Sequence, residues 1–270
     1  MSHLDPLRRN NVTVTGNPDA AKTLVFVHGF GTDQTAWADV AAAFKDDYRI
    51  VLLDNVGAGG SDDGAYETQA ARYRSLKGYA DDLIEVGTAL GLQDAVVVGH
   101  SVGAMIALLA CTRRRGMFTR LVMLAGSPRY LNDEGYPGGF TPEMIGEIHY
   151  QMCLNSGEWA SSFARAAMSN PDRPELHEYF AKNLAAIPFE RAASVLITIL
   201  RSDHRADLAR VTVPTLIIQT REDFAVPLEV AEYLHQRIQG SQLAVIDGSG
   251  HLPHVSAPAT VIAAMRDFGL

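Results

Sequence analysis

Cysteine is scarce in this chain: 270 residues contain two, Cys111 and Cys153. They stand far apart, without C-x-x-C or metal-ligand spacing. That argues against a disulfide framework and for a reducing compartment. Long apolar runs are also missing. None approaches the roughly 20 residues that a membrane span needs, and the opening MSHLDPLRRN lacks the apolar segment of a secretory leader. Positive charge is in deficit, 23 Lys and Arg against 31 Asp and Glu, for a net charge of −8. A polyanion-binding surface is therefore not expected, and nucleic acid is set aside as a partner. The one basic run, Arg113 to Arg115, reads as a solvated helix end where cations complement the helix dipole. What these absences leave is a soluble, cytoplasmic protein with no membrane partner. Its length suits a single α/β domain carrying an insertion.

What is present is a rhythm. The runs TLVFV (23–27), RIVLLD (49–54), AVVVG (95–99), LVMLAG (121–126), TLIIQ (215–219) and LAVID (243–247) are apolar throughout rather than alternating. Parallel strands covered on both faces read this way. Helical patterns separate them; Leu76, Tyr79, Leu83, Val86 and Leu90 recur at three- and four-residue spacings on one face. Alternating strand and helix predicts a mostly parallel sheet flanked by helices. NNVTVTG alternates cleanly and reads as the start of an antiparallel edge. The rhythm breaks after LAGSPRYLNDEGYPGGF. From about Thr141 to Leu200 the pattern is helical and aromatic-rich, which predicts a helical insertion over the carboxyl edge of the sheet.

One stretch does not fit ordinary packing. GHSVG (99–103) follows a strand and opens a helix, with Ser101 between two glycines. In G-x-S-x-G the serine sits on a sharp strand-to-helix turn with its hydroxyl pushed out above the sheet. The flanking glycines are needed because a Cβ at either position would strike the adjoining strand or helix. A serine hydroxyl is a weak nucleophile and needs a base oriented by a third group. On this elbow the chain order is serine, acid, histidine. TREDFAVP, after the strand 215–219, offers Asp223, with Glu222 as the fallback. GSGHLPH, after the strand 243–247, offers His251. His254 reads instead as a packing or helix-capping residue. Acyl transfer also needs donors aimed at the developing oxyanion. These are expected from the N–H of Val102, at the start of the helix, and the N–H of Phe30, in HGFGTDQ. His28 reads as a structural hydrogen-bonding residue. No metal cluster, P-loop or dinucleotide fingerprint is present, and no cofactor is assigned.

HGFGTDQTAW (28–37), GHSVGAMIALLA (99–110), SPRYLNDEGYPGGF (127–140), SDHRADLARVTVPTLIIQ (202–219) and GHLPHVSAP (250–258) together resemble an α/β-hydrolase subfamily. It is the subfamily of the bacterial stress-response protein RsbQ and the plant strigolactone and karrikin receptors, and the likeness runs over nearly the whole chain. NVGAGGSD departs from the G-x-G-x-S form of many hydrolases. The resemblance implies an α/β-hydrolase core over 1–128 and 203–270 and a four-helix lid over 129–202. It implies a Ser101–His251–Asp223 triad beneath a mainly apolar pocket. It also implies slow hydrolysis of a small apolar ester or lactone, butenolide-like, linked to signalling through a protein partner. The alternative is a ligand sensor that acts mainly by binding a partner, with hydrolysis incidental. Pocket candidates, from position and match together, are Phe30, Tyr130, Phe140, Trp159, Phe163 and Phe189. Dehalogenases and epoxide hydrolases with a carboxylate nucleophile are set aside by Ser101; carbon–carbon bond hydrolases and cofactor-free haloperoxidases share the triad and are not separated by it.

Overall fold

The computed structural model describes residues 4–270. Residues 1–3, which begin both the opening MSHLDPLRRN and the expected 1–128 segment, lie outside them. Seven strands form one sheet: β1 (Thr13–Gly16), β2 (Thr23–Val27), β3 (Arg49–Leu53), β4 (Ala95–His100), β5 (Phe118–Leu124), β6 (Thr215–Glu222) and β7 (Gln242–Ser249). Their order across the sheet is β1-β3-β2-β4-β5-β6-β7. β1 pairs antiparallel with β3, as the alternating NNVTVTG predicts, and the remaining pairings are parallel.

Both faces of the sheet are covered, which is why its strands do not alternate. On one side Leu24, Phe26, Val96, Val98, Val122 and Ile218 pack with Trp37, Val40, Val261 and Met265. On the other, Val25, Val27, Val97, Leu121 and Ile217 pack with Leu83, Val86, Ile106 and Val230. The α-helices among the described residues follow in chain order. They are α1 (Pro6–Arg9), α2 (Ala38–Ala42), α3 (Asp63–Thr68), α4 (Leu76–Ala89), α5 (Val102–Arg113), α6 (Pro142–Leu154), α7 (Ser156–Met168), α8 (Pro174–Ala185), α9 (Phe189–Leu200), α10 (Leu228–Arg237), α11 (Pro253–Ser256) and α12 (Pro258–Asp267). Of these, α2, α4, α5, α10 and α12 supply most of the packing residues on the two faces. The predicted stripe on α4 is real: Leu76, Tyr79, Leu83 and Val86 are buried, while Leu90 caps the end. Arg113 closes α5 and reaches Asp81 at 2.7 Å and the Lys77 carbonyl at 3.0 Å.

Strand limits differ most from the sequence pattern at β5, β6 and β7. β5 begins three residues earlier than the apolar run, because Phe118 pairs with Ala95 and is buried, and it stops at Leu124, before Ala125 turns to a positive φ. β6 and β7 run on to Glu222 and Ser249, which pair with each other beyond the apolar stretch. That extension matters, since the loops leaving these two strands carry Asp223 and His251.

The predicted helical insertion is α6 to α9, lying between β5 and β6. Local signals start its helices: Thr141 and Asn155 cap α6 and α7 through their side chains, and Pro142 and Pro174 occupy first-turn positions. The chain leaves and rejoins the sheet through a narrow neck. Arg129 meets Asp203 at 2.7 Å, Arg205 meets Asp133 at 2.8 Å, and the His204 N–H donates to the Pro128 carbonyl at 2.8 Å. The two segments SPRYLND and SDHR therefore share a physical cause, a charge-paired junction. No single helix among the described residues is long and apolar enough to cross a membrane.

Candidate active site

The elbow follows from sterics. Ser101 has φ 54° and ψ −122°, a conformation that L-residues rarely adopt and that surrounding structure must enforce. A Cβ on Gly99 would collide with the backbone of Gly103 and Ala104, and one on Gly103 with the carbonyls of Val27 and His28. The close approach of β4, α5 and the end of β2 thus requires glycine at both positions, and the turn pushes the serine out of the sheet.

Three loops converge on it. His251 Nε2 lies 2.8 Å from Ser101 Oγ, and His251 Nδ1 lies 2.8 Å from Asp223 Oδ2. A neutral imidazole with its proton on Nδ1 satisfies both contacts, donating to the carboxylate and accepting from the hydroxyl. The Asp223 carboxylate is wholly buried. Its Oδ1 accepts from the N–H groups of Ala225 (2.8 Å) and Val226 (3.2 Å), and its Oδ2 also accepts from Gln219 Nε2 at 3.1 Å. Those donors fix the position and orientation of the carboxylate. Glu222, the fallback acid, is exposed, and its contribution is a backbone carbonyl that accepts from the Gly250 N–H at 2.8 Å.

The N–H groups of Phe30 and Val102, the expected oxyanion donors, have no acceptor among the described residues, and Phe30 lines the same cavity as Ser101. Val102 opens α5, where the first amides are unsatisfied within the helix and favour negative charge. Phe30 lies in the turn after β2. His28 braces that turn: Nδ1–H donates to the Gly29 carbonyl at 2.8 Å, while Nε2 accepts from the Asn55 N–H at 2.9 Å. Burial lowers its pKa and keeps the ring neutral, in keeping with the structural part expected of it. His254 is fully buried, its ring tilted against those of Trp37 and His100 with centroids 4.3 Å from each, and neither ring nitrogen has a partner. It packs and does not cap. Burial pushes its pKa down to about 3.

Two neighbours of the serine were not legible in the sequence in these positions. Tyr130, expected only as a pocket residue, brings its hydroxyl to 3.3 Å from Ser101 Oγ, and burial raises its pKa so that it stays a phenol. His100, the variable residue of the elbow, donates from Nε2 to the His251 carbonyl at 2.7 Å. Burial, and then the neighbouring His254 and His251, hold its pKa well below the ordinary histidine value.

The insertion roofs the serine with an apolar cavity of about 480 Å³ of empty space, part of it open to solvent. Phe30, Tyr130, Phe140 and Phe163 line it, together with Ser101 and His251. Trp159 and Phe189 do not, which corrects two pocket expectations. Trp159 stands behind Phe163, its ring stacked on that ring at 5.1 Å, and Phe189, partly buried, packs against the hydrophobic core instead. Phe180, Phe224, Leu196 and Leu200 are wall residues that the sequence reading did not single out. Spacing on a helix says which face is buried, but not which part of that face borders a cavity.

A buried, hydrogen-bonded Ser–His–Asp chain thus lies at the edge of a mostly parallel sheet beneath a helical roof, on a fold of the hydrolase class. The chain belongs to the alpha/beta hydrolase family, whose model matches residues 24–264. Karrikin insensitive 2 receptor CA of Petunia hybrida is 39% identical over 254 residues, 94% of this chain and 93% of that protein. Strigolactone esterase D14 of Arabidopsis thaliana is 39% identical over 267 residues, 98% of each. These relatives put the chain in the karrikin- and strigolactone-receptor subfamily that its motifs resemble. The solved structure of a hydrolase from Oleispira antarctica overlays with a TM-score of 0.93 at 30% identity, covering 98% of this chain and 96% of that one.

Proposed function

We propose that this protein hydrolyses a small apolar ester or lactone, of butenolide type, through an acyl-enzyme on Ser101. The observation that carries the reading is the unbroken chain from Ser101 Oγ through His251 to Asp223, at 2.8 Å on each side of the ring. Ser101 Oγ attacks the carbonyl carbon as its proton passes to His251 Nε2. The carbonyl oxygen becomes an oxyanion held by the N–H groups of Phe30 and Val102, an interaction worth roughly 10²–10³ in rate per donor. Asp223 stabilises the imidazolium and fixes its orientation without taking its proton. The tetrahedral intermediate then collapses: the bond to the leaving oxygen breaks, and that oxygen takes the proton from His251. Water attacks the acyl-enzyme, gives one proton to His251, and the acid departs as Ser101 Oγ recovers that proton. The apolar roof favours a hydrophobic substrate and excludes bulk water until the second step.

The test is to incubate the protein with small butenolides and short esters and to follow products and intact mass together. Cleavage accompanied by a transient acyl adduct, both lost in Ser101→Ala, supports the reading; cleavage that survives in Ser101→Ala overturns it. The receptor names of several relatives favour a second reading, in which ligand binding drives partner recruitment and turnover is incidental. In that case Ser101→Ala keeps ligand-dependent partner binding while losing hydrolysis.

A further inference from the structure

A second apolar cavity adjoins the first. It holds about 460 Å³ of empty space, also partly open to solvent, and is bounded by Tyr79 on α4, Ile106 on α5, and Ile187, Ala192 and Val195 at and within α9. Two residues, Phe30 and Ile199, line both cavities and so form the partition between them. The division of the reacting groups is unequal. Ser101 and His251 face only the first cavity, whereas Val102, whose N–H is one of the two free amides, faces only the second.

That asymmetry assigns the two sides of a substrate. A carbonyl carbon bonded to Ser101 Oγ directs its oxygen to the amides of Phe30 and Val102. The leaving oxygen must lie within reach of His251 Nε2 to be protonated, so the leaving group occupies the first cavity. The acyl substituent then points away from His251, past Phe30. We propose that the second cavity receives the acyl side of the substrate, and that among esters and lactones the protein therefore selects those bearing an apolar acyl substituent of several carbons. This rests on the proposed serine hydrolysis and adds to it the substrate feature read by α4, α5 and α9. Ala192 and Val195 become the residues that set acyl length, since they line the second cavity and not the one that holds Ser101 and His251.

The test separates the two sides of the ester. One series of p-nitrophenyl esters keeps the leaving group and lengthens the acyl chain from acetate to octanoate. A second series keeps the acetyl group and lengthens the alcohol. Val195→Phe fills the second cavity and is expected to lower the hexanoate-to-acetate ratio of kcat/KM at least tenfold, with the alcohol-length ratio unmoved. Val195→Ala enlarges the cavity and is expected to shift the preferred acyl length upward, which keeps the test open if the larger side chain disturbs folding. Equal changes in both series, or a change only in the alcohol series, overturn the acyl assignment while leaving serine hydrolysis intact. Failure of the unaltered protein to cleave any ester, with Ser101 unreactive towards fluorophosphonate, overturns the hydrolase reading and this inference with it.

Discussion

The sheet and the helical insertion contribute to the site in different ways. The sheet supplies Ser101, Asp223, His251 and the two amides from loops at the ends of β2, β4, β6 and β7, strands that are paired to their neighbours along the sheet. The insertion supplies walls: Phe163, Phe180, Leu196 and Ile199, from short amphipathic helices whose other faces meet solvent. Burial on both faces makes the first group hard to displace, and one-sided burial leaves the second easier to shift. The expectation is that chemistry resides in the sheet and selectivity in the insertion. The two regions are not independent, however. The His251 N–H donates to the Ala167 carbonyl at the end of α7 at 2.6 Å, and Ser249 Oγ donates to the Ser169 carbonyl at 3.0 Å. A Cβ on Gly250, where φ is 101°, would strike the Met168 carbonyl. The loop bearing the base is thus held from above by the insertion and from below by His100 and Thr220.

The largest effect that sharpens this comparison is chemical. Ser101→Ala is expected to lower kcat by about 10⁴-fold or more, with little change in thermal stability, because only a hydroxyl facing the cavity is removed and Cβ stays in place. Steady-state kinetics beside a melting curve checks both halves; a large loss of stability would mean that the elbow is structural. Phe180→Ala should do the reverse. Phe180 is buried against the Gly31 turn and the Phe163 ring. Its truncation is expected to cost about 3 kcal/mol in urea unfolding and to raise KM roughly tenfold, about 1.4 kcal/mol of lost binding, more than it lowers kcat.

The strands, the elbow and the order serine, acid, histidine were legible because each has a local cause: two-sided burial, a forbidden Cβ, a loop at a strand's end. Tyr130 and His100 were not, since their partners at Ser101 and His251 are set by how separate loops cross above the sheet. Trp159 and Phe189 show the same limit from the other side. Both are aromatic, both belong to the insertion, and only the packing of α7 and α9 decides that their rings turn from the cavity.

A smaller effect appears with pH. His254 has its pKa lowered by burial to about 3 from 6.5. The unfolded chain therefore binds more protons over that window, so stability is full above pH 6.5 and is lost as pH falls towards 3. By linkage this one group accounts for about 2 kcal/mol between pH 7 and pH 5. His254→Leu should flatten that part of the stability profile, measured by urea unfolding at the two pH values; an unchanged slope would assign the acid sensitivity to other groups. The smallest effect is expected at the neck. Arg205 is a quarter exposed and pairs with Asp133 and Asp203. Arg205→Ala should cost under about 1 kcal/mol and shift KM more than kcat, which comparison of the two constants resolves.

The central claim is that His251 activates Ser101 for attack, and covalent labelling reads it most directly. A fluorophosphonate probe followed by peptide mass spectrometry is predicted to mark Ser101 alone, at a rate that falls at least about a hundredfold in His251→Ala. Label on another residue, or an equal labelling rate in the His251→Ala protein, would contradict it.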